Sequence, residues 1–417
     1  MEKNKNWGDL FINFTIALYF LLFLLFSRSY NLAPTLLIIS AIVFVFLKRK
    51  QIDFFTEKEH KILVLSYLVY FVIILLTVIL HQDKLKDLDK PSRIILYLPV
   101  LLLLIHYKLR FKTLLYSIPM SAILAGCVAC YQCFYLGDWG AFKHVQLIQG
   151  GDISMSLGIF SICMMLYSLS KGHKLLALFC FLGSLMGIFG NILSTARGGW
   201  IVLPIIIPFI LIIYRKFIPK YFIPLMLGVF IISGYLFNLT DGGRLRDRIM
   251  TTQDQITRYF YKNDSDTSLG YRFDMWKGAW IAIKEKPILG WGNEGLKSKK
   301  EKLAENGIIS KHSAEFYHNH NQFIDETAKR GIIGLIGLLT IFLIPLSYFG
   351  CRLIRQTNLE IRCLALCGTV HIISTMCYNL SQGFFVHNSG NTFYFLSVII
   401  WGCSRLALNF TPFSQYF

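Results

Sequence analysis

Apolar runs of membrane-spanning length follow one another through most of this chain, and few architectures accept such a pattern. They cover about 10–26, 32–47, 62–80, 92–107, 114–136, 153–169, 174–194, 199–214, 218–237, 331–350, 361–380 and 391–408. Each is near the ~20 residues that a bilayer helix needs, and the shorter ones leave room for one neighbouring pair to merge. Backbone in hydrocarbon must satisfy its own polar groups, so runs of this kind become helices. The chain is 54% hydrophobic and only 16% charged, against about 25% charged in soluble domains. The expectation is an all-α polytopic membrane protein with about twelve transmembrane helices. It divides into spans one to nine over 1–237, a large polar loop over 238–330, and spans ten to twelve with a tail over 331–417.

The net charge of +18 invites nucleic acid, but the basic residues sit in short clusters between apolar runs, as topology signals do. With the N-terminus inside, the inner segments carry 19 Lys and Arg, the short outer loops seven, and the long loop the remaining 16 of the 42. Long loops cross regardless of charge, so the asymmetry puts both termini in the cytoplasm and the 238–330 loop outside. Lys3 and Lys5 precede an apolar run, but Phe26-Ser27-Arg28-Ser29-Tyr30 is a poor cleavage sequence, which favours a retained first span. None of the 10 cysteines lies between Asn238 and Arg330, so no disulfide staples the outer loop. Cys127, Cys130 and Cys133 mimic overlapping C-x-x-C, but three-residue spacing in an apolar run reads as one stripe of a spanning helix.

Within the loop, Arg244 to Tyr261 reads as a basic helix. Phe273 to Lys286 reads as an amphipathic one, with Phe273, Trp276, Trp280 and Ile283 at three- and four-residue steps, stopped by Pro287, Gly290 and Gly292. A helical cap lying on the membrane surface accounts for that pattern without any chemistry.

Three places carry chemical potential. Arg197 stands before Gly198-Gly199 in the outer turn between spans seven and eight, where a guanidinium at bilayer depth needs a partner and suits a phosphate; an interfacial arginine that snorkels is the alternative. Arg272 opens the amphipathic helix, where free N–H groups would add to its attraction for an anion; an exposed charge is the alternative. His318 and His320 flank Asn319. At i and i+2 on a helix they point apart, a poor metal pair. His320 reads as the first turn of the helix that becomes span ten, and as a general base with a pKa near working pH. For either histidine alone, a solvated surface group is the alternative. Asp87-Leu88-Asp89 and Asp264-Ser265-Asp266 read as loops, and His371 as a polar core group. There is no G-x-x-x-x-G-K-[ST] phosphate loop, so no nucleotide is expected.

Thr195-Ala196-Arg197, Gly270-Tyr271-Arg272 with Trp276, Pro287 and Gly290-Trp291-Gly292, and His318-Asn319-His320-Asn321 leading into Gly331-Ile332-Ile333-Gly334 together resemble the bacterial O-antigen ligases. The likeness covers the whole plan, late outer loop included. The wider superfamily also holds O-antigen polymerases and protein O-oligosaccharyltransferases; the 417-residue length without a C-terminal extension favours a ligase over the longer protein-glycosylating members. The resemblance implies a bacterial inner-membrane glycosyltransferase with a fold similar to the GT-C-type lipid-linked sugar transferases. Its site would face the periplasm and use no metal or other cofactor. Its partners would be undecaprenyl diphosphate-linked O-antigen, lipid A–core and membrane lipids, with no nucleic acid or nucleotide. Arg197 and Arg272 would hold the donor diphosphate and His320 would act as the base; no role carries over to His318. Lys84, Lys86, Lys90 and Arg93 become candidates for acceptor phosphates, with a solvated charge run as the alternative. A polymerase is the nearest rival, and a non-enzymatic exporter or flippase the rival from another class.

Overall fold

A computed structural model describes residues 2–48, 58–215, 244–262 and 264–403. Every regular element among them is helical. The membrane part contains α1 (Glu2–Leu22), α2 (Leu32–Lys48), α3 (Lys58–Leu80), α4 (Asp89–His106), α5 (Phe111–Cys130), α6 (Leu147–Ser170), α7 (Lys174–Leu193) and α8 (Leu203–Tyr214). The long polar loop follows with α9 (Arg244–Lys262), α10 (Ser268–Glu285), α11 (Gly292–Glu305) and α12 (Lys311–Glu315). The chain then re-enters through α13 (Gln322–Arg355), α14 (Leu359–Asn379), α15 (Asn388–Asn391) and α16 (Ser397–Cys403). Helices lie over each apolar run that falls within the described residues; the run at 218–237 lies outside them. Among the described residues, seven helices are long and apolar enough to cross a membrane by length and composition, and those over Trp7–Leu22 and Gly198–Tyr214 are shorter apolar ones.

The centre of the bundle is α6 and α14, buried along most of their length. Small residues set how closely they are wrapped. A methyl group added at Gly187 of α7 would sit 2.7 Å from the Gly158 Cα on α6, so the two backbones touch there, and Ser154 Oγ donates to the Gly187 carbonyl at 2.8 Å. Lipid cannot drive helices together by hydrophobicity, and close backbone packing of this kind does that work instead. Bulky side chains such as Ile39, Phe46 and Leu47 of α2 stay on the outside, as a lipid-facing surface requires. Cys127 is exposed and Cys130 and Cys133 are partly so, in keeping with a stripe along α5 and its continuation. His371 is a core group, packed against Phe160, Phe393 and Tyr394.

The bundle has two distinct ends. At one, Asn13 of α1 braces the α4–α5 turn, donating to the Lys108 carbonyl and accepting from Arg110 N–H, both at 2.8 Å. At the other, the segments read as outer loops meet one another: His144 with the Leu24 carbonyl at 3.2 Å, Ala141 N–H with Leu193 at 3.0 Å, and Arg93 with Asn31 at 3.2 Å. The polar cap sits on this second end. Asp83, between α3 and α4, accepts from the N–H groups of Asn293 (2.7 Å) and Glu294 (3.0 Å), capping α11 across the chain. Asp87 accepts from Asn293 Nδ2 and the Tyr317 hydroxyl, and Asp264 is paired with Arg258, so both D-x-D strings are structural.

The join between cap and span is a break inside α13. Gly331 has φ 63° and ψ −161°, a region essentially reserved for glycine. Its missing side chain leaves room for the Ile288 carbonyl, and the Gly290 turn lies equally close against Lys329. Ile332 N–H donates to the Pro287 carbonyl at 2.8 Å, and Trp291 N–H to Ala328 at 3.1 Å. The Pro287–Gly292 turn is therefore the splint for the break. Gly331→Ala is expected to cost about 3 kcal/mol or more, through strain and collision together. Gly307 also has positive φ but faces open space, so Gly307→Ala should cost only about 1–2 kcal/mol. Thermal unfolding of the two variants in detergent measures the difference.

Candidate active site

His320 is not in the first turn of a helix. Asn321 caps α13, its Oδ1 accepting from Ile324 N–H at 3.1 Å, and His320 stands just outside with φ 49°. Rings at i and i+2 diverge only on a helix; in this kinked segment the His318 and His320 rings lie 4.2 Å apart, centre to centre. His320 N–H points at His318 Nδ1 (3.3 Å), and Phe316 packs edge-on to the His320 ring. The buried Nδ1 of His320 has no hydrogen-bond partner among the described residues. His387, which the sequence did not single out, lies 6.4 Å from the His318 ring.

Arg272 belongs to the second turn of α10, not to its opening. The helix starts at Ser268, with Thr267 capping Gly270 N–H at 3.0 Å. Its free N–H groups are therefore a turn away from Arg272. The face of α10 that packs on protein is Met275, Gly278, Ala279 and Ala282, all buried, whereas Trp280 is 59% exposed. Small residues let α10 approach α11 and α13 closely, and the aromatic stripe is displaced to the flank. Trp276 is half-buried there and donates its Nε1–H to the Asn319 carbonyl at 2.9 Å.

The half-buried Arg272 exerts its charge on the His320 ring and on the Asp152 carboxylate at the start of α6. Asp152 accepts from Gln382 Nε2. Gln382 lies in the turn after α14, whose Leu380 carbonyl accepts from Asn321 Nδ2 at 3.1 Å. The same turn packs Ser381 against Gly198. So the Arg197 turn, a 3-10 segment over Arg197–Val202, reaches the His320 segment through residues 380–382. The Arg197 side chain itself lies outside what is described. The four candidate acceptor residues separate. Lys84 pairs with Glu294 at 2.9 Å, Lys86 is exposed, and Arg93 lines a cavity of about 350 Å³ with Asn31, Ser92 and Tyr97. Lys90 acts on the histidines, placing its charge on His318 and His387.

Burial dominates the protonation of the cluster. It depresses His320 to about 3, helped by His318 and Arg272. His318 and His387 each fall to about 4, again chiefly through burial. The rings are neutral at pH 7 and able to accept a proton, but they are weak bases, not groups tuned to working pH. Lys300, 2% exposed, is lowered to about 8 by burial.

A family model described as O-antigen ligase matches residues 182–339, a stretch that holds Arg197, Arg272 and His320. A protein of Haemophilus influenzae described as uncharacterized is 37% identical over 388 residues, 93% of this chain and 96% of that protein. The chain is a polytopic helical membrane protein. It belongs to the O-antigen ligase superfamily, whose members are glycosyltransferase-like ligases and polymerases.

The three histidines make stability pH-dependent. Their folded values lie below the unfolded value of about 6.5, so the unfolded chain takes up protons first as the pH falls. Stability is fully present above about pH 6.5 and is lost progressively down to about 3–4. The unfolding midpoint in detergent should drop between pH 7.5 and 5, and His387→Gln should shrink that drop.

Proposed function

We propose that this protein is an O-antigen ligase. In this reading it transfers O-polysaccharide from undecaprenyl diphosphate to a sugar hydroxyl of lipid A–core, at the periplasmic face of the bacterial inner membrane. The observation that carries the reading is the neutral, partly unpartnered His320 ring under the field of Arg272. A proton acceptor and a fixed cation beside it are the two parts that an acyl-free sugar transfer from a diphosphate demands.

The steps follow from charge. The His320 ring takes the proton of the acceptor hydroxyl as its oxygen attacks the anomeric carbon of the donor sugar. The bond from that carbon to the diphosphate oxygen breaks, with inversion, and undecaprenyl diphosphate leaves. The charge that grows on the leaving oxygen is met by the guanidinium groups of Arg197 and Arg272, placed in advance of the reaction. Arginines in that position supply the stabilisation that a divalent ion gives elsewhere. Sidedness is supported by the charge asymmetry of the loops together with the gathering of the site at the end of the bundle that the asymmetry assigns outside. The fold implied by the resemblance, that of GT-C-type transferases, suits a donor whose lipid stays in the membrane.

The deciding experiment reconstitutes purified protein with lipid-linked polymer and lipid A–core, with chelator present. Polymer should move to lipid A–core. Transfer to a second lipid-linked repeat instead would make the protein a polymerase, and no transfer would sink the reading. His320→Ala should lower turnover by about 10²–10⁴-fold, the range for loss of a positioned base. Arg272→Lys keeps the charge but loses the two-pronged geometry, and should lower kcat by at least about tenfold. Both are read by initial rates in the same assay. The acid limb of kcat/KM should fall well below pH 6, because the free His320 is neutral down to about 3.

A further inference from the structure

The segment 316–321 that carries both histidines is gripped from several elements. Lys300 of α11 donates to the Phe316 carbonyl, Lys329 of α13 to the Tyr317 carbonyl at 3.1 Å, and Trp276 of α10 to the Asn319 carbonyl at 2.9 Å. At the centre is Asp325. Its Oδ1 accepts from both the N–H and the Nδ2 of Asn319, each at 3.0 Å, and its Oδ2 accepts from Lys329 Nζ at 2.8 Å. Asp325, Lys329 and Asn319 are all buried, Asn319 completely.

We propose that Asp325, with Lys329, is a positioning residue for His320: its carboxylate fixes Asn319, and through it the kinked backbone that aims the ring. The need for such a brace is physical. A non-glycine residue at φ 49° pays about 1–2 kcal/mol relative to ordinary backbone, so the segment relaxes unless its neighbours over-determine it. A buried ion pair is a poor device for stability, since an apolar pair of similar volume does as well or better. Here one carboxylate oxygen is spent on Asn319, the residue before His320, and the ammonium group on the Tyr317 carbonyl, with the ion pair tying the two grips together. That is the use in which a buried charge has no apolar substitute.

The catalytic consequence rests on the function proposed above, and the test separates the two. Asp325→Leu combined with Lys329→Leu removes the brace and both members of the ion pair together, so the fold should survive, with an unfolding midpoint lowered by the Asn319 donors left unmatched. Turnover should fall at least 100-fold while the KM for the lipid-linked donor changes less than threefold. Asp325→Asn with Lys329→Gln restores hydrogen-bonding shape and should recover at least tenfold of that loss. In parallel, labelling of His318 and His320 by diethyl pyrocarbonate, followed by mass spectrometry without any substrate, should quicken several-fold in the leucine pair. A folded leucine variant with wild-type turnover, or with unchanged labelling, overturns the proposal. If wild-type protein transfers no glycan, the ligase reading falls, and the labelling ratio still decides for or against Asp325. Should the leucine pair fail to fold, the Asn/Gln pair against wild type decides by the same labelling: faster labelling supports the brace and equal labelling overturns it.

Discussion

The joint at Gly331 governs how the cap meets the membrane. A continuous helix from Gln322 to Arg355 would project its first turns straight out of the bilayer. The glycine backbone breaks that line, and the Pro287 carbonyl takes the Ile332 N–H that the break frees. The stretch 322–330 can then be fastened sideways. Glu326 accepts from Tyr70 of α3 at 2.8 Å and from Arg330 at 2.6 Å, and Asp325 turns the other way, toward Asn319. The histidine segment, the cap and the bundle are thus located by one short piece of helix whose direction is set at a single residue.

Much of this was readable in the amino-acid order, for reasons that can be named. Hydropathy located the helices because a bilayer leaves backbone no other option. The break at Gly331 coincides with the switch from polar to apolar sequence, and Pro287, Gly290 and Gly292 signalled a turn. Sequence periodicity picked out only one side of α10. The aromatic spacing marked a face for the membrane surface, while the face that packs on protein is made of Gly278, Ala279 and Ala282, which no apolar stripe announces. The start of that helix was mistaken by several residues, although Thr267 is a good N-cap residue.

The site was readable in its members more than in its arrangement. Arg272 and His320 come together, but the pose of His320 depends on a left-handed backbone angle that no local pattern announces. His387 and Asp152 arrive from distant parts of the chain, with no spacing to flag them. Asp325 and Lys329 did leave a trace: an i, i+4 pair beside Glu326 and Arg330, at the edge of a membrane span, where unneeded charge is costly.

The weakness of His320 as a base has a consequence for any anionic ligand. Arg272 and the neighbouring histidines help burial to hold its protonated form unfavourable. A diphosphate beside Arg272 would offset that positive field and favour the imidazolium instead. Ligand charge and base strength are then linked: the anion raises the proton affinity of His320, and protonation strengthens anion binding by the same factor. Under the ligase reading, the donor itself would bring the base into a useful range, and its departure as undecaprenyl diphosphate would weaken the ring's hold on the proton just accepted. A site lined with cations around a neutral histidine is thereby ready for the charged substrate and inert toward solvent without it.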